Sequence, residues 1–219
     1  MDGPQRYNTH ARGGRAAVIG IGGASCAGKT LLAEAVAARL NDALVLPVDA
    51  YYRDLSRLTE GERAGVNFDE PAAIDHQLLA SHLGHLRDMR AVDRPVYDFA
   101  THTRCSQTRR VGPAAYVIVE GLLALYWREL RVMMDAAVFV DAPETECLAR
   151  RTARDVRDRG RTPESIRNQF DETVVPMFQK WCAQTRCHAD IVLDGLEPVG
   201  ALADSVIELL REKALLRTI

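Results

Sequence analysis

Gly23-Ala24-Ser25-Cys26-Ala27-Gly28-Lys29-Thr30 satisfies G-x-x-x-x-G-K-[ST] at every fixed position. The apolar run Ala16–Ile21 precedes it, and the helix-forming run Leu31–Leu40 follows. A strand, a glycine loop and a helix form the context in which this pattern has a mechanism. Small residues at Gly23, Ala24, Ser25, Cys26, Ala27 and Gly28 let backbone N–H groups close on phosphate oxygens. The helix N-terminus adds partial positive charge at the same point. Lys29 is then placed for the outer phosphates, and the Thr30 hydroxyl for Mg²⁺.

Outward from this loop, apolar segments alternate between strand and helix periods. Strands are predicted at 16–21, 43–48, 116–119, 136–140 and 191–193. Helices are predicted at 30–40, 74–90, 122–133, 144–157, 163–185 and 199–215. Such alternation implies an α/β fold of the P-loop NTPase kind, a parallel β-sheet flanked by helices. Residues 1–14 read as a flexible tail and 15–219 as a single domain. The segment 53–68 reads as a loop over the site. The stretch around 94–110, with its Pro95-Val96-Tyr97-Asp98-Phe99 core, reads as a small hairpin outside the main sheet.

Composition removes several function classes. The chain is 47% hydrophobic and 26% charged with net charge −2, so no global charge favours nucleic acid or an anionic membrane. Its longest apolar stretch, near 114–127, is too short to span a bilayer and carries Glu120. Five scattered cysteines without a Cys-x-x-Cys pair suit reduced thiols in the cytosol. Cys182, Cys187 and His188 lie close in sequence, but no fourth zinc ligand is evident.

In open α/β sheets ligands sit beyond the carboxyl ends of strands, so the polar residue closing each strand matters. Asp49, Glu120 and Asp141 hold those places. Together they suggest Mg²⁺ ligation and acid–base work; Asp49 is the candidate general base, and Asp141, ahead of Ala-Pro-Glu and a helix, reads as a helix cap. Between 150 and 161 stand six arginines against two aspartates. They run into Arg159-Gly160-Arg161-Thr162-Pro163, which suggests an Arg-rich helical lid over about 150–170. Arg150, Arg154, Arg157 and Arg161 are spaced to share one helix face. Phe68-Asp69, Tyr97-Asp98-Phe99 and His102 offer ring faces and hydrogen-bonding edges; on composition alone the commoner reading is a half-buried hairpin with a structural His.

Taken in order, these pieces resemble the uridine–cytidine kinase family. The match comprises the glycine loop, Val48-Asp49-Ala50-Tyr51-Tyr52, Asn67-Phe68-Asp69-Glu70-Pro71, Pro95-Val96-Tyr97-Asp98-Phe99-Ala100-Thr101-His102-Thr103-Arg104, Val119-Glu120-Gly121, and Arg150 to Arg161. The resemblance implies transfer from ATP or GTP, with Mg²⁺, to the 5′-hydroxyl of uridine and cytidine in a cytoplasmic salvage enzyme. It implies Asp49 as base and Thr30 with Glu120 on the metal side. Asp69 and Arg151 would hold the ribose, Tyr97 and His102 would read the base edge, and Phe68 and Phe99 would pack on the ring. Tyr52 and Gln169 would line the pocket, while Arg154, Arg159 and Arg161 would close on the phosphates. A homotetramer inhibited by CTP is implied as well. Cys26-Ala27, Ala50-Tyr51 and Glu70 depart from the usual pattern without removing a functional group. Asp49, Asp69 and Asp98 would repel a phosphorylated acceptor and so favour a neutral nucleoside. A related kinase of the phosphoribulokinase or pantothenate kinase type would share the loop, Asp49 and Glu120. A GTP-switched regulator would need an Asn-Lys-x-Asp segment, which the chain lacks.

Overall fold

The computed structural model describes residues 14–216. The tail expected at 1–14 lies outside the described residues apart from Gly14. Five parallel strands, β1 (Ala17–Gly23), β2 (Ala43–Pro47), β5 (Tyr116–Glu120), β6 (Ala136–Asp141) and β7 (Ile191–Asp194), form one sheet in the order β2-β5-β1-β6-β7. A separate antiparallel pair joins β3 (Val92–Asp98) to β4 (Thr103–Val111). The helices are α1 (Lys29–Arg39), α2 (Glu60–Ala64), α3 (His76–Arg87), α4 (Arg128–Arg131), α5 (Glu144–Arg159), α6 (Pro163–Gln169), α7 (Val175–Met177) and α8 (Val199–Glu212).

The central strands β1, β5 and β6 are almost wholly buried, which is why they read as continuous apolar runs. Their side chains nevertheless sort by period two. Ile19, Ile21, Ile118, Val138 and Val140 join a core with α1 and α8, whereas Val18, Val117, Val119 and Leu46 join one with α3. After β1 the chain crosses to β2; after β5 it crosses the other way to β6. The crevice between the ends of β1 and β5 is therefore the topological switch point. Register keeps the strand ends level: Ile21 pairs with Glu120, and Glu120 with Pro47.

Two predicted helices differ in form. Residues 122–127 make i→i+3 turns, and only α4 is helical within 122–133. Leu123, Ala124 and Trp127 pack into one core while Leu125 packs into another, so no single stripe favours a helix. The Arg131 guanidinium instead donates to the carbonyls of Leu125 and Tyr126. The run expected at 163–185 is helical but irregular, with π turns at Phe170–Val174 and Phe178–Cys182 on either side of α7. Pro176 lies between them; its missing N–H and its ring break the i→i−4 pattern. The loop expected at 53–68 contains α2, started by a capping box between Thr59 and Glu62.

Candidate active site

Two glycines make the phosphate loop possible. Gly23 has φ 137, and a Cβ there would stand 2.1 Å from the Val140 carbonyl oxygen. Gly28, at φ 110, caps α1. Both lie in backbone territory that side-chain-bearing residues rarely enter. The loop thus turns from the end of β1 straight into α1, whose free N–H groups face the crevice.

Lys29 is buried, and its Nζ donates to the Ala24 carbonyl at 2.6 Å, across the mouth of the loop. Thr30 Oγ1 donates to Glu120 Oε2 at 3.2 Å. Glu120 is only 7% exposed, and burial raises its pKa against the opposing pull of Lys29. Asp49 lies in a 3₁₀ turn, Val48–Tyr51, just beyond β2. Its side chain keeps solvent-accessible area yet lies deep within the protein envelope, which places it on the wall of a cleft. Desolvation raises its pKa, and Lys29 lowers it; Asp69 acts upward, Arg154 and Arg159 downward. Asp69 is likewise raised by burial and opposed by Arg151, Lys29 and Arg154. Lys29 therefore acts on all three carboxylates, Asp49, Asp69 and Glu120.

The arginines gather differently from the shared helix face expected of Arg150, Arg154, Arg157 and Arg161. Gly160 ends α5 in the left-handed conformation and turns Arg161 back over the helix. Asp155, 0% exposed, is the hub: Arg154 lies 2.8 Å from it, Arg159 3.5 Å, Arg161 3.5 Å and Arg151 3.8 Å. Arg157 turns outward to Asp158, and Arg150 grips the carbonyls of Ala27 and Gly195. Arg151 reaches Ser25 Oγ at 3.2 Å and Gln169 Oε1 at 3.3 Å, and Arg161 meets the same Gln169 oxygen at 2.6 Å. Several cations on one buried carboxylate leave surplus positive charge beside the glycine loop, where phosphate oxygens can complete it. Arg151 and Arg159 reach Asp155 at i,i+4 spacing, whereas the convergence of Arg161 from beyond Gly160 has no local sequence signal.

The aromatic residues come together. Tyr52 stands 5.3 Å from Phe68, 5.3 Å from Tyr97 and 6.4 Å from Phe99 between ring centroids. Phe68 and His102 stack at 4.6 Å. Phe99, 50% exposed, forms the rim. Among the described residues, the Tyr97 hydroxyl and His102 Nδ1 are buried without a hydrogen-bond partner, as is Arg63 Nε from α2. Burial, with Arg159 and Arg63, lowers the His102 pKa and favours the neutral imidazole; burial pushes Tyr97 up to about 12. Tyr52 joins the two halves, because Asp49, Asp69, Tyr97 and Arg151 all act on its hydroxyl.

Two strand-end and hairpin acids serve other ends. Pro143, not Asp141, is the N-cap of α5, and Asp141 pairs with Arg186 at 3.3 Å. Asp98 accepts from Ala100 N–H at 2.8 Å and from the Thr101 hydroxyl at 2.9 Å, so it ties the hairpin turn. The acidic lining of the cleft thus rests on Asp49 and Asp69.

Sheet order and glycine loop define the class: a P-loop kinase fold. D-glycerate 3-kinase from Cryptococcus neoformans superposes with TM-score 0.59 at 15% identity, covering 88% of this chain and 90% of that one. Phosphoribulokinase from Rhodobacter spheroides gives TM-score 0.59 at 12% identity over 82% of this chain and 70% of that one. The chain belongs to the phosphoribulokinase/uridine kinase family, whose profile matches residues 18–200. Among its relatives is a uridine kinase from Shewanella amazonensis, 44% identical over 182 residues, covering 80% of this chain and 86% of the relative. Another, from Tolumonas auensis, is 41% identical over 202 residues, covering 90% and 92%.

Proposed function

We propose that this chain is a nucleoside kinase that transfers a phosphoryl group from ATP or GTP to the 5′-hydroxyl of uridine or cytidine. The observation that carries this reading is a cleft with unlike ends. At one end, Lys29, Thr30 and the Asp155-centred arginines surround the glycine loop. At the other, Tyr97 OH and His102 Nδ1, two polar atoms unpartnered among the described residues, stand in a ring cluster beside Asp49 and Asp69. Buried polar atoms without partners cost stability unless a ligand satisfies them, and a pyrimidine edge supplies the complementary groups. The names of the relatives point the same way.

Asp49 accepts the proton of the acceptor hydroxyl, Lys29 and the arginines neutralise the transferring charge, and Asp69 with Arg151 orients the ribose. Thr30 Oγ1 and Glu120 Oε2, hard oxygens 3.2 Å apart, suit Mg²⁺. Among the described residues no group of three or more His, Cys, Asp or Glu is placed for a metal ion. Held by Thr30 and Glu120, Mg²⁺ would neutralise charge on the donor's phosphates. Among the described residues no helix is long and apolar enough to cross a membrane. The homotetramer and CTP inhibition implied by the family resemblance remain part of the proposal.

The test is a substrate panel of uridine, cytidine, adenosine and ribulose 5-phosphate, with products identified by mass. Pyrimidine nucleoside monophosphates are expected. Turnover of ribulose 5-phosphate alone would replace this reading with the sugar-phosphate one. His102→Ala is expected to reduce the pyrimidine-over-purine ratio of kcat/KM by about tenfold or more, because a site built for a polar edge rejects ligands that leave it unpaired. An unchanged ratio would place base recognition elsewhere.

A further inference from the structure

We infer that Arg104 is a positioning residue that fastens the base-reading hairpin to the turn bearing Asp49, so that the pyrimidine pocket and the proton acceptor form one rigid unit. The inference rests on the nucleoside kinase reading above.

Arg104 is the second residue of β4. It pairs across the hairpin with Tyr97 and follows His102 by two positions. Its side chain leaves the hairpin and crosses to the other wall of the cleft. Nε donates to the Tyr52 carbonyl at 2.7 Å; Nη2 donates to the Tyr51 carbonyl and to Asp75 Oδ2, each at 3.2 Å. Its backbone N–H donates to Asp54 Oδ1 at 3.2 Å. Tyr51 ends the 3₁₀ turn that holds Asp49, and Tyr52 N–H closes that turn on the Asp49 carbonyl. Arg104 therefore grips the backbone two and three residues beyond the proposed base.

The anchor is itself fixed. Asp75 Oδ1 caps α3 by accepting from Leu78 N–H at 3.2 Å, while Asp75 N–H donates to the Tyr51 carbonyl at 2.8 Å. One carboxylate thus serves a helix cap and the guanidinium together. The hairpin lies outside the main sheet, so strand pairing does not hold it to β2. A planar fork with fixed donor directions suits two adjacent carbonyls and a carboxylate; an ammonium on a flexible stem does not. A displacement of about 1 Å at a reacting group costs on the order of a hundredfold in rate.

The test compares the parent with Arg104→Gln and Arg104→Lys in steady-state kinetics with uridine and ATP. Both variants are expected to lose at least about tenfold in kcat, with KM for ATP and for uridine within about threefold. That split marks a transition-state arrangement rather than ground-state binding. A kcat fall of less than tenfold, a loss confined to the uridine KM, or full rescue by lysine would overturn the assignment. If Arg104→Gln does not fold, Asp75→Asn carries the same criterion: it keeps an oxygen for the α3 cap and removes the charge that holds the guanidinium. A parent enzyme that fails to phosphorylate uridine would sink the functional reading. An active parent with unaffected variants would sink only the role of Arg104.

Discussion

Asp49→Asn should lower the turnover of uridine by at least about a hundredfold, the scale of losing a general base, with ATP affinity almost unchanged. The amide keeps the shape of the carboxylate and cannot accept the hydroxyl proton. Near-normal turnover would remove Asp49 from the chemistry. As the proposed base, the same carboxylate would set the pH profile. Burial raises its pKa; Asp69 adds to the rise, while Lys29, Arg154 and Arg159 oppose it. The base works deprotonated, so activity should fall as pH drops through this raised value, above the ordinary carboxylate range near 4. A folded-state pKa above the unfolded one also means that ionised Asp49 weakens the fold. Stability is lost progressively as pH rises from the unfolded value through the raised folded one. Asp49→Asn removes that cost, and its Tm at pH 7.5 is expected to equal or exceed the parent's. An inactive variant that is also markedly less stable would point to a broken cleft rather than a missing base.

The parallel sheet was the most legible part of the sequence, for a physical reason. The central strands β1, β5 and β6, buried on both faces, must be apolar throughout, and each of the five strands lies within about two residues of its expected bounds. Segments packed on two cores at once, such as 122–127, lose the stripe that marks a helix. The segment 53–68, polar and glycine-punctuated, reads as loop, whereas the structure starts a short helix there with a Thr59–Glu62 capping box. Residues named for the site because they close strands stand there: Glu120 ends β5, and Asp49 lies in the turn just beyond β2. The roles of Asp155 and Arg104 depend on chain reversal at Gly160 and on contacts across about fifty residues, respectively, which no local pattern encodes. Asp141 and Asp98 show the converse: carboxylates in suggestive positions that answer to a neighbouring arginine and to a turn.

Lys29→Ala should take phosphoryl transfer down by about a thousandfold or more, because it removes a preorganised cation from the point where charge develops. The effect is not confined to chemistry. Lys29 is the common counter-charge of Asp49, Asp69 and Glu120, all raised by burial. Without it their folded-state pKa values rise further, and the cost of ionising them in the cleft grows. By linkage that cost appears only above their unfolded values and accumulates as pH increases. The variant should therefore be nearer to parental stability at pH 5 than at pH 7.5, a difference that thermal melts at the two pH values would detect. Lys29→Met, which fills the space without the charge, should behave in the same way; a pH-independent loss of Tm in both would trace the damage to packing instead. Retained turnover in either would overturn the assignment of residues 23–30 as the phosphate loop. The double variant Lys29→Met, Asp49→Asn separates the two effects of the lysine. It lacks both the cation and one of the carboxylates that the cation offsets, so part of the stability lost at pH 7.5 should return while activity stays absent. The non-additive remainder measures the coupling between Lys29 and Asp49, as expected for charges that share one cleft.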